Sequence, residues 1–257
     1  MTNASSSFAR RAIALLDLTE LGDQATPDDV ATLCRRAVGP YGTVAAVCVW
    51  PRHVTQAATL LAGQGVRIAT VVNFPAGDDS IDDVIELARG AIADGADEID
   101  VVLPYRALLA GDLAHPAAMV AALRDTVVSG DRTLLKVILE TGELVDPAVI
   151  RTAAELAIRN GADFIKTSTG KTPVSATVEA AEVMLHVIHD LDPTVGLKPS
   201  GGIRTVADAA RFLALADRIM GAGWARSATF RFGASGLLTA LEAAVEGSQQ
   251  TTGTDAY

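Results

Sequence analysis

The chain has 257 residues, 49% of them hydrophobic, with a formal net charge of −10 and a sequence pI of about 4.8. That balance leaves no cationic stripe for phosphate backbones or anionic headgroups, so neither nucleic acid nor a membrane is expected as a partner. Cys34 and Cys48 stand far apart without CxxC or Cys/His spacing. Neither a disulfide framework nor a zinc site is predicted, and a reducing cytoplasm fits.

In chain order, MTNASSSFARRAIALLDLTEL reads as an amphipathic helix, because Asp17 and Glu20 interrupt its apolar run before it could act as a signal core. No apolar run approaches the roughly 18 residues that a membrane span requires. Strand-like runs follow at 43–50, 66–74, 97–104, 133–140, 162–169, 194–200, 217–223 and 230–235. Between them, SIDDVIELARGAIADGA, DPAVIRTAAELAIRNGA and SATVEAAEVMLHVIHDL carry helical spacing, the first two closed by a glycine suited to a helix C-cap. Alternating strands and helices imply parallel strands with right-handed crossovers, and strands apolar on both faces imply helices outside and a filled interior. An open doubly wound sheet would give a similar pattern, but no GxGxxG follows the first strand. The prediction is a single-domain α/β protein, a (β/α)8 TIM barrel over 1–246 with an extra N-terminal helix and a flexible polar tail over 247–257.

Against this apolar background Asp100, Lys136, Glu140, Lys166 and Lys198 fall on four successive strands. Lysine is almost never fully buried unpaired, so three strand lysines and an aspartate predict a constellation in the barrel mouth. A salt bridge or a snorkelling side chain explains any one of them alone. Lys166 and Lys198 lie on neighbouring strands, about 4.8 Å apart. Burial and mutual repulsion would favour a neutral amine at Lys166, able to attack a carbonyl and form a Schiff base. Asp100 can pair with an ammonium and relay protons through water. No His and carboxylate cluster has metal-ligand spacing, so a metal-dependent aldol mechanism is not expected.

Two glycine motifs follow late strands. PSGGIRT places Gly201 and Gly202 before a helix starting near Thr205, where backbone N–H groups favour an anion. RFGASG adds Gly233, Ser235 and Gly236, while Gly170 and Lys171 follow Lys166. An ordinary tight turn explains either motif alone; together on one barrel face they suggest a phosphate site.

The stretches LLDLTEL, RIATVVNFP, GADEIDVVLPYRAL, LLKVILETGEL, GADFIKTSTGK, GLKPSGGIRT and FRFGASG, in this order, make the chain closely resemble the deoxyribose-phosphate aldolase family, class I aldolases of the (β/α)8 type. The resemblance runs almost end to end. It implies Lys166 as the Schiff-base lysine, Lys198 as the neighbour that depresses its pKa, Asp100 as the proton-relay carboxylate, and phosphate contacts around Gly170, Lys171, Gly201, Gly202 and Ser235. It implies reversible cleavage of 2-deoxy-D-ribose 5-phosphate to D-glyceraldehyde 3-phosphate and acetaldehyde in deoxynucleoside catabolism, with no metal or organic cofactor, and a homodimer. Gly236 stands where the family pattern leads one to expect a second serine. Tyr257 resembles a C-terminal tyrosine on a tail that can reach the site. Asp17 and Asn73 fall in family-like motifs as contacts to substrate hydroxyls, Lys136 as support for the charge network, and Cys48 near the site mouth or in the packed interior. The competing functions are a transaldolase-like Schiff-base transferase and a non-catalytic barrel that binds a phosphate ligand.

Overall fold

A computed structural model of the chain describes residues 2–128 and 133–252. Eight strands form one sheet: β1 (Leu16–Glu20), β2 (Ala46–Val49), β3 (Arg67–Val72), β4 (Glu98–Val102), β5 (Leu134–Ile138), β6 (Phe164–Lys166), β7 (Gly196–Lys198) and β8 (Phe232–Ala234). Each pairs in parallel with the next, and β8 pairs with β1 through Leu16↔Phe232. Bridges Leu197↔Phe230 and Ser200↔Gly233 close β7 onto β8, so the sheet is the predicted (β/α)8 barrel.

Around it lie α1 (Thr2–Ile13), α2 (Pro27–Ala37), α3 (Val54–Leu60), α4 (Ile81–Ala93), α5 (Ala114–Val128), α6 (Pro147–Arg159), α7 (Val178–Leu191), α8 (Val206–Met220) and α9 (Leu237–Thr252). Thr26, Ser80, Asp146, Thr177 and Thr205 cap α2, α4, α6, α7 and α8, each accepting from an early backbone N–H of its helix. The extra helix α1 precedes β1 and packs against α9. α9 runs on to Thr252, past the expected start of the tail at 247, and Tyr257 lies outside the described residues.

Two sequence expectations fail, and they cancel in the strand count. LLDLTEL is not the end of the N-terminal helix but the first barrel strand. Its period of two buries Leu16 and Leu18 toward the helices and turns Asp17 to the interior. DRIMGAG is not a strand. It is the last turn of α8, whose Ala209, Phe212, Leu213 and Ala216 are buried with helical spacing, and Gly221 at φ 90° ends it. The charged strand residues therefore occupy β4 to β7, one position later in the barrel than the sequence count placed them.

The same alternation sorts every strand. Val47, Val49, Ile68, Ile99, Val101, Leu135, Val137, Ile165 and Leu197 join the large core under the helices. Ala46, Cys48, Ala69 and Val71, small residues of β2 and β3, form a separate cluster with Leu21. Side chains of this size on two strands leave interior volume for long charged side chains from the others. Gly196 on β7 stands in register with Phe164 on β6, and a Cβ there would collide with the Phe164 ring. Gly196→Ala is expected to lower stability by about 1–3 kcal/mol through overpacking, measured as a shift in urea midpoint.

Candidate active site

Seven ionisable side chains, six from five strands and one from just before β8, meet inside the barrel. Asp100 of β4 is the hub: its Oδ2 accepts from Lys166 Nζ at 2.9 Å and Lys198 Nζ at 2.8 Å, and its Oδ1 from Lys136 Nζ at 2.7 Å. These lysines come from β5, β6 and β7, where the register sets Asp100 beside Lys136 and Lys166 beside Lys198. Below them Asp17 Oδ2 lies 2.6 Å from Lys198 Nζ and 3.5 Å from Lys136 Nζ. Glu98 Oε2 lies 2.5 Å from Lys136 Nζ. Arg231, just before β8, spans both acids, Nη1 to Asp17 Oδ1 at 2.6 Å and Nη2 to Glu98 Oε1 at 2.9 Å. All seven residues are buried, and Lys166 is 2% exposed.

The pKa shifts follow from these contacts. Burial would push the Asp100 carboxyl up, but the surrounding ammonium groups of Lys136, Lys166 and Lys198 outweigh it and hold it well below the usual carboxylate range. Burial would also lower Lys198 and Lys136. Asp100 and Asp17 reverse that for Lys198, and Asp100 and Glu98 for Lys136, so both end above an ordinary lysine. For Lys166 burial dominates: Asp100 opposes it, Lys198 adds to it, and the amine ends below an ordinary lysine. Two neighbouring ammoniums thus differ because one touches two carboxylates and the other a single shared oxygen.

Above this layer opens a cavity of about 430 Å³ whose walls include Thr19, Glu20, Thr169, Gly170, Lys171, Ser200, Gly201, Gly202, Arg204, Gly233, Ser235 and Gly236. Thr169 follows Lys166 by three residues and Ser200 follows Lys198 by two, so the cavity stands over the lysine ends. All six glycine-motif and lysine residues expected to meet a phosphate therefore share one wall. The helix start contributes less than the sequence suggested. Arg204 and Thr205 N–H donate to Asp208 Oδ2 at 3.2 and 3.0 Å in a capping box, and the side-chain hydrogen bond from Thr205 leads the contacts that hold the Asp208 carboxyl at about 2. Gly201 N–H is taken by Gly233 O. Among the described residues, no acceptor meets the amides of Gly170, Gly202, Ser235 or Gly236, so the free backbone donors of this cavity sit in the loops. Lys171 Nζ is 2.8 Å from Asp23 Oδ1 at the rim.

The remaining sequence candidates fall elsewhere. Asn73 is fully buried, its amide donating to Val102 O at 2.8 Å and its Oδ1 accepting from Asp79 N, so it braces the loop after β3. Cys48 is buried in the interior cluster, and burial raises its thiol pKa. Asp17 is engaged with Lys198 and Arg231 deep in the barrel. Sequence reasoning missed Glu98 and Arg231, although EID and FRF set each charge two residues before an interior residue, Asp100 or Gly233, and the period of two alone would have found them. Another cavity of about 470 Å³, lined by Arg67, Asp163, Thr194 and Ser227, lies at the opposite, N-terminal end of the strands.

Glu140 takes a different part. At φ 56° after β5, it is fully buried and accepts from Thr169 N at 3.2 Å, Thr169 Oγ1 at 2.5 Å and Thr172 Oγ1 at 3.2 Å. It ties down the loop that carries Gly170 and Lys171. Glu140→Ala leaves the Thr169 amide and hydroxyl without that acceptor, while Thr172 keeps Val174 O, and is expected to cost about 2 kcal/mol, with faster amide exchange at 169–172 as the local measurement.

Residues 11–242 match the model described as the DeoC/LacD family aldolase. The chain is 52% identical over 246 residues, 95% of its length and 94% of the relative's, to the deoxyribose-phosphate aldolase of Agrobacterium fabrum. A crystal structure from Toxoplasma gondii ME49, described provisionally as the same enzyme, superposes with a TM-score of 0.88 at 26% identity, covering 98% of this chain and 99% of the other. The deoxyribose phosphate aldolase of Aeropyrum pernix, described as tetrameric, gives 0.76 at 26% identity, covering 94% and 92%.

Proposed function

The chain belongs to the DeoC/LacD family of aldolases, and on that premise we propose that it cleaves 2-deoxy-D-ribose 5-phosphate reversibly to D-glyceraldehyde 3-phosphate and acetaldehyde through an imine at Lys166. The observation that carries this reading is the single shared oxygen that holds the Lys166 amine while its neighbours have two or more carboxylate contacts. The Lys166 lone pair attacks the C1 aldehyde of the open-chain sugar, and the carbinolamine loses water to give the iminium. The C3 hydroxyl then gives up its proton, the C2–C3 bond breaks, and its electrons move into the iminium to leave an enamine. Glyceraldehyde 3-phosphate departs. Protonation of the enamine at C2 and hydrolysis release acetaldehyde and restore the amine. Asp100, with Lys198 as its ammonium partner, relays these protons through water in this scheme.

The amides of Gly170, Gly202, Ser235 and Gly236 and the Lys171 ammonium hold the 5-phosphate, with the Gly201 turn shaping their loop. Acetaldehyde is small enough to lie against Cys48, Ala69 and Val71. Assembly as a homodimer, a cytoplasmic location and a place in deoxynucleoside catabolism belong to the same reading. Among the described residues, no helix is long and apolar enough to cross a membrane.

Borohydride reduction with acetaldehyde is expected to leave an ethyl group on Lys166, mapped by peptide mass spectrometry; an unmodified Lys166 peptide in active enzyme overturns the reading, and Lys166→Met should abolish both adduct and turnover. Because the free amine is the reactive form and its pKa is lowered, kcat/KM should rise with pH along a limb that lies below about 10.4, where an ordinary lysine titrates. A Cβ at Gly236 would meet nothing within 4 Å, so Gly236→Ser fits, and its added hydroxyl should lower the KM for the phosphorylated sugar a few-fold in steady-state assays.

A further inference from the structure

The ionisable groups inside the barrel do not balance. Three acids, Asp17, Glu98 and Asp100, meet four bases, Lys136, Lys166, Lys198 and Arg231. An arginine does not release its proton in a protein, so the surplus positive charge must be relieved by one of the lysines. Lys136 touches all three acids and Lys198 touches Asp17 and Asp100, whereas Lys166 has only the Asp100 oxygen that Lys198 also uses.

We propose that Arg231 is the positioning residue that creates this surplus and so keeps Lys166 poised as a free amine. Its planar fork occupies one oxygen of Asp17 and one of Glu98. Those oxygens would otherwise serve Lys198 and Lys136 and free Asp100 to hold Lys166. Among the described residues, the groups that act on Lys166 are Asp100 of β4, Lys198 of β7 and the Cys48 thiol of β2, while the buried Glu140 carboxylate beyond β5 accepts from Thr169 and Thr172 and makes no ion pair with the cluster. Arg67 reaches Glu98 at 3.8 Å, but its side chain is 49% exposed and screened by water. Arg231 is held in place by the Phe164 ring, 5.6 Å below its guanidinium, and by its Nε donating to Ser227 O. A lysine at this position could shed its own proton; the arginine leaves the loss to Lys166.

This inference rests on Lys166 as the imine-forming amine, and the experiment separates the two. The probe is acetaldehyde: the initial rate of imine formation is measured against pH, trapped with borohydride after a common quench, and mapped to the Lys166 peptide. Arg231→Gln makes the count three against three and should raise the midpoint by about one pH unit, cutting the rate at pH 7 about tenfold while sparing the alkaline plateau. Glu98→Gln leaves two acids against four bases and should move the midpoint down. The double variant restores a surplus of one and should return toward the wild-type midpoint. A purely structural role would depress the rate at every pH without moving the midpoint, and that result, or shifts of the same sign in both single variants, overturns the proposal. Should Arg231→Gln fail to fold, the opposite shift in Glu98→Gln and its reversal in the double variant decide the matter. Absence of any wild-type adduct at Lys166 overturns the underlying reading instead.

Discussion

One carboxylate oxygen shared by two ammonium groups governs this molecule. Asp100 Oδ2 accepts from both Lys166 and Lys198, and a single oxygen cannot compensate two buried cations fully. The tie is broken by what else each lysine reaches. Lys198 has Asp17 at 2.6 Å; among the described residues, Lys166 pairs with no second acid. The rest of the barrel interior can be understood as the apparatus that maintains this inequality.

Buried ion networks of this kind are poor stabilisers, since desolvating each charge costs several kcal/mol that the mutual attraction barely offsets. The apolar shell between strands and helices, with Leu16, Val47, Ile99, Val137, Ile165 and Leu197 all fully buried, must therefore supply the stability that the charged interior does not. Strand alternation makes the division possible. Each strand gives its odd or even positions to one medium and the remainder to the other, so the apolar and ionic layers are interleaved along the same few residues yet separated in space.

Much of this was legible in the sequence. Parallel strands, the barrel, and the convergence of Asp100, Lys136, Lys166 and Lys198 followed from periodicity and from the rarity of strand lysines. The first strand was not, because LLDLTEL is short and continues an apolar helix without a glycine or proline to mark the break. DRIMGAG misled for the opposite reason: its Gly221 and Gly223 look like strand-ending punctuation, but the helix before them supplies the apolar residues. Glu98 and Arg231 escaped notice because a lone charge near the start of a strand resembles a solvated end. The period of two marks them as inward, and the closed geometry, which brings β8 back beside β1, shows that they meet each other and Asp17. The capping box of Asp208 could be read as T-x-x-D, but its effect on the anion site depends on loop positions that no pattern fixes.

That capping box has a consequence for selectivity. With Arg204 and Thr205 amides satisfied by a residue of the protein itself, the proposed phosphate recess would draw on peptide groups of separate loops rather than on a helix dipole anchored in the framework. On the function proposed above, bond-making power and preference for a phosphorylated chain would be carried by different parts of the architecture, one internal, the other in the loops. Evolution or engineering can reshape the recess toward neutral or shorter aldehydes without reaching the deep electrostatic balance on which the carbon–carbon chemistry depends.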